Sequence, residues 1–205
     1  MNSLLSSKWT KAAAFLLCVV PFGMLCWRGY HGDLGANPIE YVTRATGDWT
    51  LRFLLITLAV TPLRKTFNMA PLIKFRRMLG LFAFFYGVLH LTTYVWFDKF
   101  FDVNEMWKDI MLRRFITMGA LSFLLMLPLA LTSTAGWVRR LGGKNWQRLH
   151  RAIYFSALAG VIHYIWLVKS DLRMPLTYGA ILAALMLWRV VLWFLARRTA
   201  SSQHG

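Results

Sequence analysis

Six stretches of this 205-residue chain are apolar for most of a bilayer's thickness, and polar residues gather between them. The runs cover residues 12–27, 49–63, 78–97, 115–131, 149–168 and 176–195. A helix crosses a hydrocarbon core about 30 Å thick with about 20 such residues. The pattern therefore predicts an all-α membrane protein, a bundle of six transmembrane helices. The runs at 49–63 and 115–131 are short, which predicts that flanking side chains such as Arg52 and Arg64 snorkel to complete them. Six spans use over half of the chain, so a single domain over residues 1–205 is expected, with short loops and no extramembrane catalytic domain. Lys8 and Lys11 ahead of the first run give it the outline of a secretory signal. No small-x-small site follows, and five more runs do, so this run is expected to stay as the first helix.

Composition agrees with lipid as the solvent. Apolar residues make up 58% of the chain and charged residues 16%, against about a quarter charged in soluble domains. Mean hydropathy is +0.48. A formal net charge of +16 would suggest nucleic acid in a soluble protein. Here the basic residues sit between apolar runs, so topology accounts for them and no nucleic-acid partner is expected. With six spans, the termini and the second and fourth loops share one side. That side carries 14 Lys and Arg residues, and the other carries 8. The positive-inside rule makes the richer side, and both termini, cytoplasmic. All eight acidic residues fall on the opposite side. Trp49, Trp96, Trp107 and Trp166 stand near span ends, as an aromatic belt would. Cys18 and Cys26 form no metal-ligand spacing and read as packing residues.

Ionisable side chains within apolar spans are costly and mark function by default. Three histidines qualify: His90 in the third run, His150 and His163 in the fifth. At 1.5 Å per residue, His90 lies about 21 Å from Arg76 and His163 about 22 Å from Arg148, both measured from the inner edge. Two imidazoles at matching depth on separate helices suit one iron held on both axial faces, as in a b-type haem. Hydrogen bonding to a neighbouring helix is the other account of such histidines. His150 lies about 20 Å below His163 and some 140° around an ideal helix, so a shared face needs a distortion, for instance near Gly160. Thirteen residues before His90 stands Arg77, so His150 has no opposite histidine.

Arg52 and Arg189 lie within spans. Arg52 has two readings, pairing with a haem propionate or snorkelling. The run KFRR at residues 74–77 anchors the inner edge and also suits a phosphate-bearing cofactor or an acidic partner. GKNW at Gly143 lacks the upstream glycine of a phosphate loop, and no Ser/His/Asp, CxxC or HExxH set occurs. Three rival functions remain at this point: a histidine-lined transporter, a membrane anchor without haem, and a ferric or oxygen reductase. The last normally needs a fused flavin and nicotinamide domain, for which no residues remain.

Three stretches carry a family resemblance: HGDLGANPIEYVTRATGDWTLRFLLITLAVTPLRK, RRMLGLFAFFYGVLHLTTY and LTSTAGWVRRLGGKNWQRLHRAIYFSALAGVIHYIWLVKSD. In order and spacing they resemble the MsrQ family, haem-binding membrane subunits of bacterial periplasmic methionine sulfoxide reductase systems. That family is grouped with the ferric reductase-like transmembrane domains. The resemblance implies an inner-membrane electron-transfer subunit fed by quinone or by a cytosolic flavin reductase. Its implied partner is the periplasmic molybdopterin subunit MsrP, which reduces methionine sulfoxide in envelope proteins. It implies haem ligation by His90, His150 and His163, and one or two b-type haems. FMN is implied without assigned residues. Arg76 and Arg77 match an inner-face arginine pair that helps bind flavin or a reductase. Arg77, where the oxidase relatives have a histidine, departs from a full two-haem stack. On this reading electrons leave to a partner docked around residues 33–48 and 98–109.

Overall fold

Helix starts are set by short polar side chains that satisfy the first free N–H groups. Ser7 accepts from Trp9 N (3.2 Å) ahead of α1, Lys8–Tyr30. Asn37 accepts from Glu40 N (3.2 Å), and Pro38 opens α2, Pro38–Thr66. Asp102 accepts from Glu105 N (3.0 Å) to start α4, Val103–Leu112. Thr134 does the same for α6, Ala135–Leu141. Gly142, with φ at +73°, then takes a left-handed turn that a side chain would strain. The remaining helices are α3, Ile73–Thr92; α5, Arg114–Leu131; α7, Gly143–His150; α8, Ala152–Leu167; and α9, Arg173–Ser201. A 3-10 turn, Ala70–Leu72, leads into α3, and a π-helical segment, Thr93–Asp98, continues it. This computed structural model describes residues 7–201, and among them there is no strand.

Five of the predicted runs fall within these helices, and the remaining one, 149–168, starts at the end of α7, breaks at Arg151 and follows α8 to Leu167. Among the described residues, four segments are long and apolar enough to cross a membrane: Lys8–Tyr30, Ala70–Asp98, Arg114–Leu131 and Arg173–Leu195. The other two predicted spans fall on α2, which carries charged residues, and on α8, which is 16 residues long. Both helices occupy the middle. α2 packs along α3, and α5 packs along α8. α9 lies across α2 and α8, and α1 rests on α2 and α3. A helix surrounded by protein need not be apolar on every face.

Two local expectations change. The polar stretch before residue 49 is helical from Pro38 onward, because the Asn37–Pro38–Glu40 start is a strong one. Asp48 therefore sits inside α2 and not in a loop. The interruption between His150 and His163 falls at Arg151, between α7 and α8. Gly160 lies in the unbroken run of α8, where its Cα faces Ser122 Oγ and Leu51 of neighbouring helices.

The core is built on α2: Leu54 and Leu58 are 1% exposed, against Tyr86 and Ala157 at 0%. Phe53 stacks on Tyr86 at 5.3 Å. Tyr86 also ties α1 down, because its hydroxyl accepts from Phe22 N (3.0 Å) and donates to the Cys18 carbonyl (2.9 Å). It thus bridges a ladder position just after Pro21. Ser122 Oγ donates to Ser156 O (2.9 Å), and Ser156 Oγ donates to Ser122 O (3.0 Å), joining α5 to α8. The outer surface shows large apolar side chains such as Phe15, Leu17, Phe155 and Leu187, the surface a bilayer covers.

At the other end of the π segment, α4 turns Trp107, Met111 and Leu112 outward and Asp109 inward. Asp109 binds Lys99 Nζ (2.9 Å) and Arg113 Nε (3.1 Å), and accepts from the Tyr94 hydroxyl (3.1 Å). Burial works against the Asp109 charge, but these partners outweigh it and hold the carboxyl below its ordinary range. The bond to Asp109 raises Lys99. A depressed acid stabilises the fold above its ordinary pKa of about 4 and loses that effect as pH falls through the lower value. A raised lysine stabilises below about 10.4 and loses the effect as pH climbs through the higher one. Lys99→Met is thus expected to destabilise the protein by about 1–2 kcal/mol, between exposed and buried pairs. Thermal unfolding of both proteins in detergent checks this, with a difference that stays flat from about pH 5 to 9.

Candidate functional site

His90, near the end of α3, and His163, near the end of α8, point at each other across the seam between the two helix pairs. Their ring centroids are 6.1 Å apart, with planes at 75°. Each ring is held by the other helix of its own pair. His90 Nδ1 is 2.9 Å from the Thr43 carbonyl on α2. His163 Nδ1 is 2.6 Å from the Phe115 carbonyl on α5. A carbonyl only accepts, so both Nδ1 atoms carry the proton and both Nε2 atoms keep a free lone pair.

The two anchors have the same construction. In each, a glycine stands four residues after the carbonyl, Gly47 after Thr43 and Gly119 after Phe115. In a helix these positions lie one above the other. A Cβ at Gly47 would meet His90 Cε1 at 3.1 Å and Nδ1 at 3.2 Å. A Cβ at Gly119 would meet His163 Nδ1 at 2.8 Å. Missing Cβ atoms let each imidazole reach a backbone oxygen of the facing helix. Sequence reading did not single out these glycines or carbonyls. The available signal was a glycine in each of the two helices at the depth of a buried histidine.

A polar cluster lies one to two turns below Thr43 on α2. Asp48 pairs with Arg52 at 3.9 Å, and Arg52 Nε donates to the Tyr178 hydroxyl at 2.8 Å. The guanidinium lies over the Trp49 ring, 4.7 Å from its centroid, and the Tyr164 hydroxyl faces Asp48. Groups on α2 and α9 thus meet the Arg52 charge, with its side chain 36% exposed. Asp48 was the carboxylate it needed, hidden from sequence reading by its assignment to a loop. Asp109, offered above as part of a docking loop, is also spoken for by Lys99 and Arg113.

His150 stands apart from the other two. It stacks on Trp146 at 3.7 Å, with Nδ1 3.0 Å from the Trp146 carbonyl. Its Nε2 is buried and makes no close hydrogen bond, with the Leu129 carbonyl beside the ring. Arg76 and Arg77 part company at the start of α3: Arg76 is half-buried and acts electrostatically on His150, while Arg77 is exposed. Among the described residues no three His, Cys, Asp or Glu side chains converge as a metal site. Two facing imidazoles are a complete protein contribution only where the ligand brings its remaining donors itself.

Comparison with known proteins fits this arrangement of helices. The family described as "Ferric reductase like transmembrane component" matches residues 46–161, from the middle of α2 into α8. A protein of Caulobacter vibrioides is 54% identical over 91% of this chain and 88% of its own length. One from Herminiimonas arsenicoxydans is 53% identical over 94% and 88%. One from Bordetella pertussis is 46% identical over 93% of both. All three carry the name "Protein-methionine-sulfoxide reductase heme-binding subunit MsrQ". This chain belongs to the MsrQ family of ferric reductase-like transmembrane proteins.

Proposed function

We propose that the chain holds a b-type haem between His90 and His163 and conducts electrons across the bacterial inner membrane. The observation that carries this reading is the pair of facing imidazoles, each with Nδ1 tied to a carbonyl and Nε2 left free. Two imidazoles holding one metal ion through bonds of about 2 Å, with a ring radius of about 1 Å each, would stand about 6 Å apart. The 6.1 Å spacing fits that separation. Haem, when bound, supplies reversible one-electron chemistry.

The chain's own residues do the rest. Hydrogen bonds at Nδ1 fix both tautomers and make Nε2 more basic, which favours the higher oxidation state of a bound metal. Tyr86, Met126 and Leu54, on α3, α5 and α2, are buried in the core that these helices share. The paired Asp48 and Arg52 add no net charge beside the histidines. The reading includes six spans with both termini on the cytoplasmic side and one domain over residues 1–205. Electrons would come from quinone or a cytosolic flavin reductase and go to the periplasmic molybdopterin subunit MsrP for reduction of methionine sulfoxide. His150 would serve a second haem, and Arg76 and Arg77 would help bind flavin or a reductase. The names of the relatives support haem binding and a place in methionine sulfoxide reduction.

The test is an absorption spectrum of the detergent-purified full chain, oxidised and dithionite-reduced, with haem quantified per chain. At least one haem per chain with a low-spin, bis-imidazole signature is expected. A preparation made with ample haem that shows no Soret band sinks the reading.

A further inference from the structure

One segment apolar enough to cross a membrane ends at Asp98, and the next begins at Arg114. Between them the described residues leave large apolar side chains open: Phe100, Phe101, Val103, Trp107 and Met111 are each at least 60% exposed. Phe100 and Phe101 also hold left-handed backbone, with φ of +47° and +63°. Residues with side chains keep that conformation only where their surroundings fix it. Phe101 N donates to the Val95 carbonyl (3.0 Å) and Asp102 N to the Lys99 carbonyl (2.8 Å). The turn thus folds back on the π segment, and the Phe101 ring lies 5.9 Å from Trp96.

The rotation of α4 about its own axis is fixed from two sides. Lys99 and Tyr94 grip Asp109, and the Ile110 carbonyl accepts from the Thr117 hydroxyl on α5. Successive residues turn by about 100°, so Met106, Asp109 and Ile110 take the side toward the bundle. Val103, Trp107 and Met111 then form a stripe about 80° wide on a second side. Asn104, Glu105 and Lys108 take a third, which Leu112 shares at the helix end. Both tethers are short, residues 99–102 before α4 and Arg113 after it. A helix about 15 Å long so tethered lies along the ends of the two segments. Trp96 and Phe97 are exposed at the end of the first, and the stripe continues that apolar surface, which a bilayer covers.

We infer that α4 lies in the plane of the membrane interface, with Val103, Trp107 and Met111 seated in lipid and Asn104, Glu105 and Lys108 in water. The occupant of the stripe is the bilayer itself. An in-plane helix of this kind sinks its apolar side about 5–10 Å into the boundary between headgroups and acyl chains. An indole suits that depth, because its ring is apolar and its N–H meets water or headgroups. The buried Lys99–Asp109 pair then has a use beyond stability: it sets which side of α4 turns to lipid. A protein partner at this end of the bundle is offered only the polar edge of α4. The inference rests on the bilayer alone and holds whether or not haem sits between His90 and His163.

The full chain carrying Cys18→Ala and Cys26→Ala is spin-labelled at a single new cysteine: Val103→Cys, Trp107→Cys or Met111→Cys on the stripe, Asn104→Cys or Lys108→Cys on the polar side. Each protein is reconstituted in vesicles of phosphatidylethanolamine and phosphatidylglycerol. Collisions with oxygen, which concentrates in the bilayer, are compared with collisions with a nickel chelate, which stays in water. Oxygen should dominate at the three stripe positions and the nickel chelate at the two polar ones. A label at residue 107 open to nickel leaves the stripe facing water, free for a protein partner, and overturns the inference. A label there closed to both reagents places more of the chain or a second copy on the stripe, and overturns it equally. The unlabelled chain covers the case in which labelling disturbs the fold. Lipids brominated close to the headgroup should quench part of its tryptophan emission, and Trp107→Phe should lose emission from that quenched part. Quenched emission that is the same with and without Trp107 would place the indole outside the lipid.

Discussion

His163→Ala is expected to abolish the low-spin haem signature of the purified protein and to weaken haem binding a hundredfold or more. Loss of an outer hydrogen-bond partner alone costs about 10- to 100-fold at a metal site, and here the ligand itself goes. The substitution leaves little else disturbed. The Phe115 carbonyl that holds the ring still has its helical bond from the N–H four residues on, so no buried acceptor is orphaned. His163 is half-buried and close-packed on its ring face, so a vacated space of imidazole size remains, and free imidazole should restore part of the spectrum. His90→Ala should act in the same way from the other face. His150→Ala should leave this chromophore in place, because His150 sits at the other end of the bundle with Trp146 and Arg76. Reduced-minus-oxidised spectra of the three variants, with haem quantified per chain, decide between these outcomes. A His163→Ala protein with the unaltered spectrum removes His163 from the axial position.

Helix periodicity and length carried most of the fold, because lipid imposes long apolar runs and leaves them visible in the sequence. Five of the six predicted runs lie inside continuous helices, and the remaining one follows α8 after a break at Arg151. What composition could not show was that α2 is buried by its neighbours. It tolerates Asp48 and Arg52 between packed helices because Tyr178, Tyr164 and Trp49 receive them. A hydropathy pattern reads such a stretch as loop, since it scores side chains without the partners that satisfy them. The start at Asn37 and Pro38 was a local signal strong enough to correct this, had capping been weighed above hydropathy.

The histidine pair was legible from depth alone, because counting 1.5 Å per residue from basic anchors needs no knowledge of packing. Orientation within the site was not legible. Which nitrogen of each imidazole stays free depends on a backbone carbonyl from another helix, and backbone atoms leave no trace in residue identity. The opposed roles of Arg76 and Arg77 are of the same kind. Adjacent positions on a helix differ by about 100°, and only the packing of α3 tells which of the two turns inward.

The glycine opposite each imidazole gives the second large effect. Gly119→Ala would place a methyl group 2.8 Å from His163 Nδ1 and 3.1 Å from Cε1. The ring cannot yield along its own plane, because Nδ1 is held 2.6 Å from the Phe115 carbonyl by the same helix that bears the methyl. It must tilt or withdraw, which weakens that hydrogen bond and swings Nε2 off axis. Haem affinity should fall about 10- to 100-fold, with a shifted midpoint potential in whatever haem remains. Gly47→Ala should act more weakly, since its nearest contacts with His90 are 3.1 and 3.2 Å. Gly160→Ala is the control: its methyl would meet Ser122 Oγ at 3.4 Å and Leu51 Cδ1 at 3.6 Å, and neither atom belongs to a ligand. In a helix interior alanine is favoured over glycine by about 1 kcal/mol. The haem-free Gly119→Ala protein should therefore melt no lower than the parent while binding haem far more weakly. A packing defect would lower both together. An unchanged potential and affinity in Gly119→Ala would mean that the ring finds its place without the glycine.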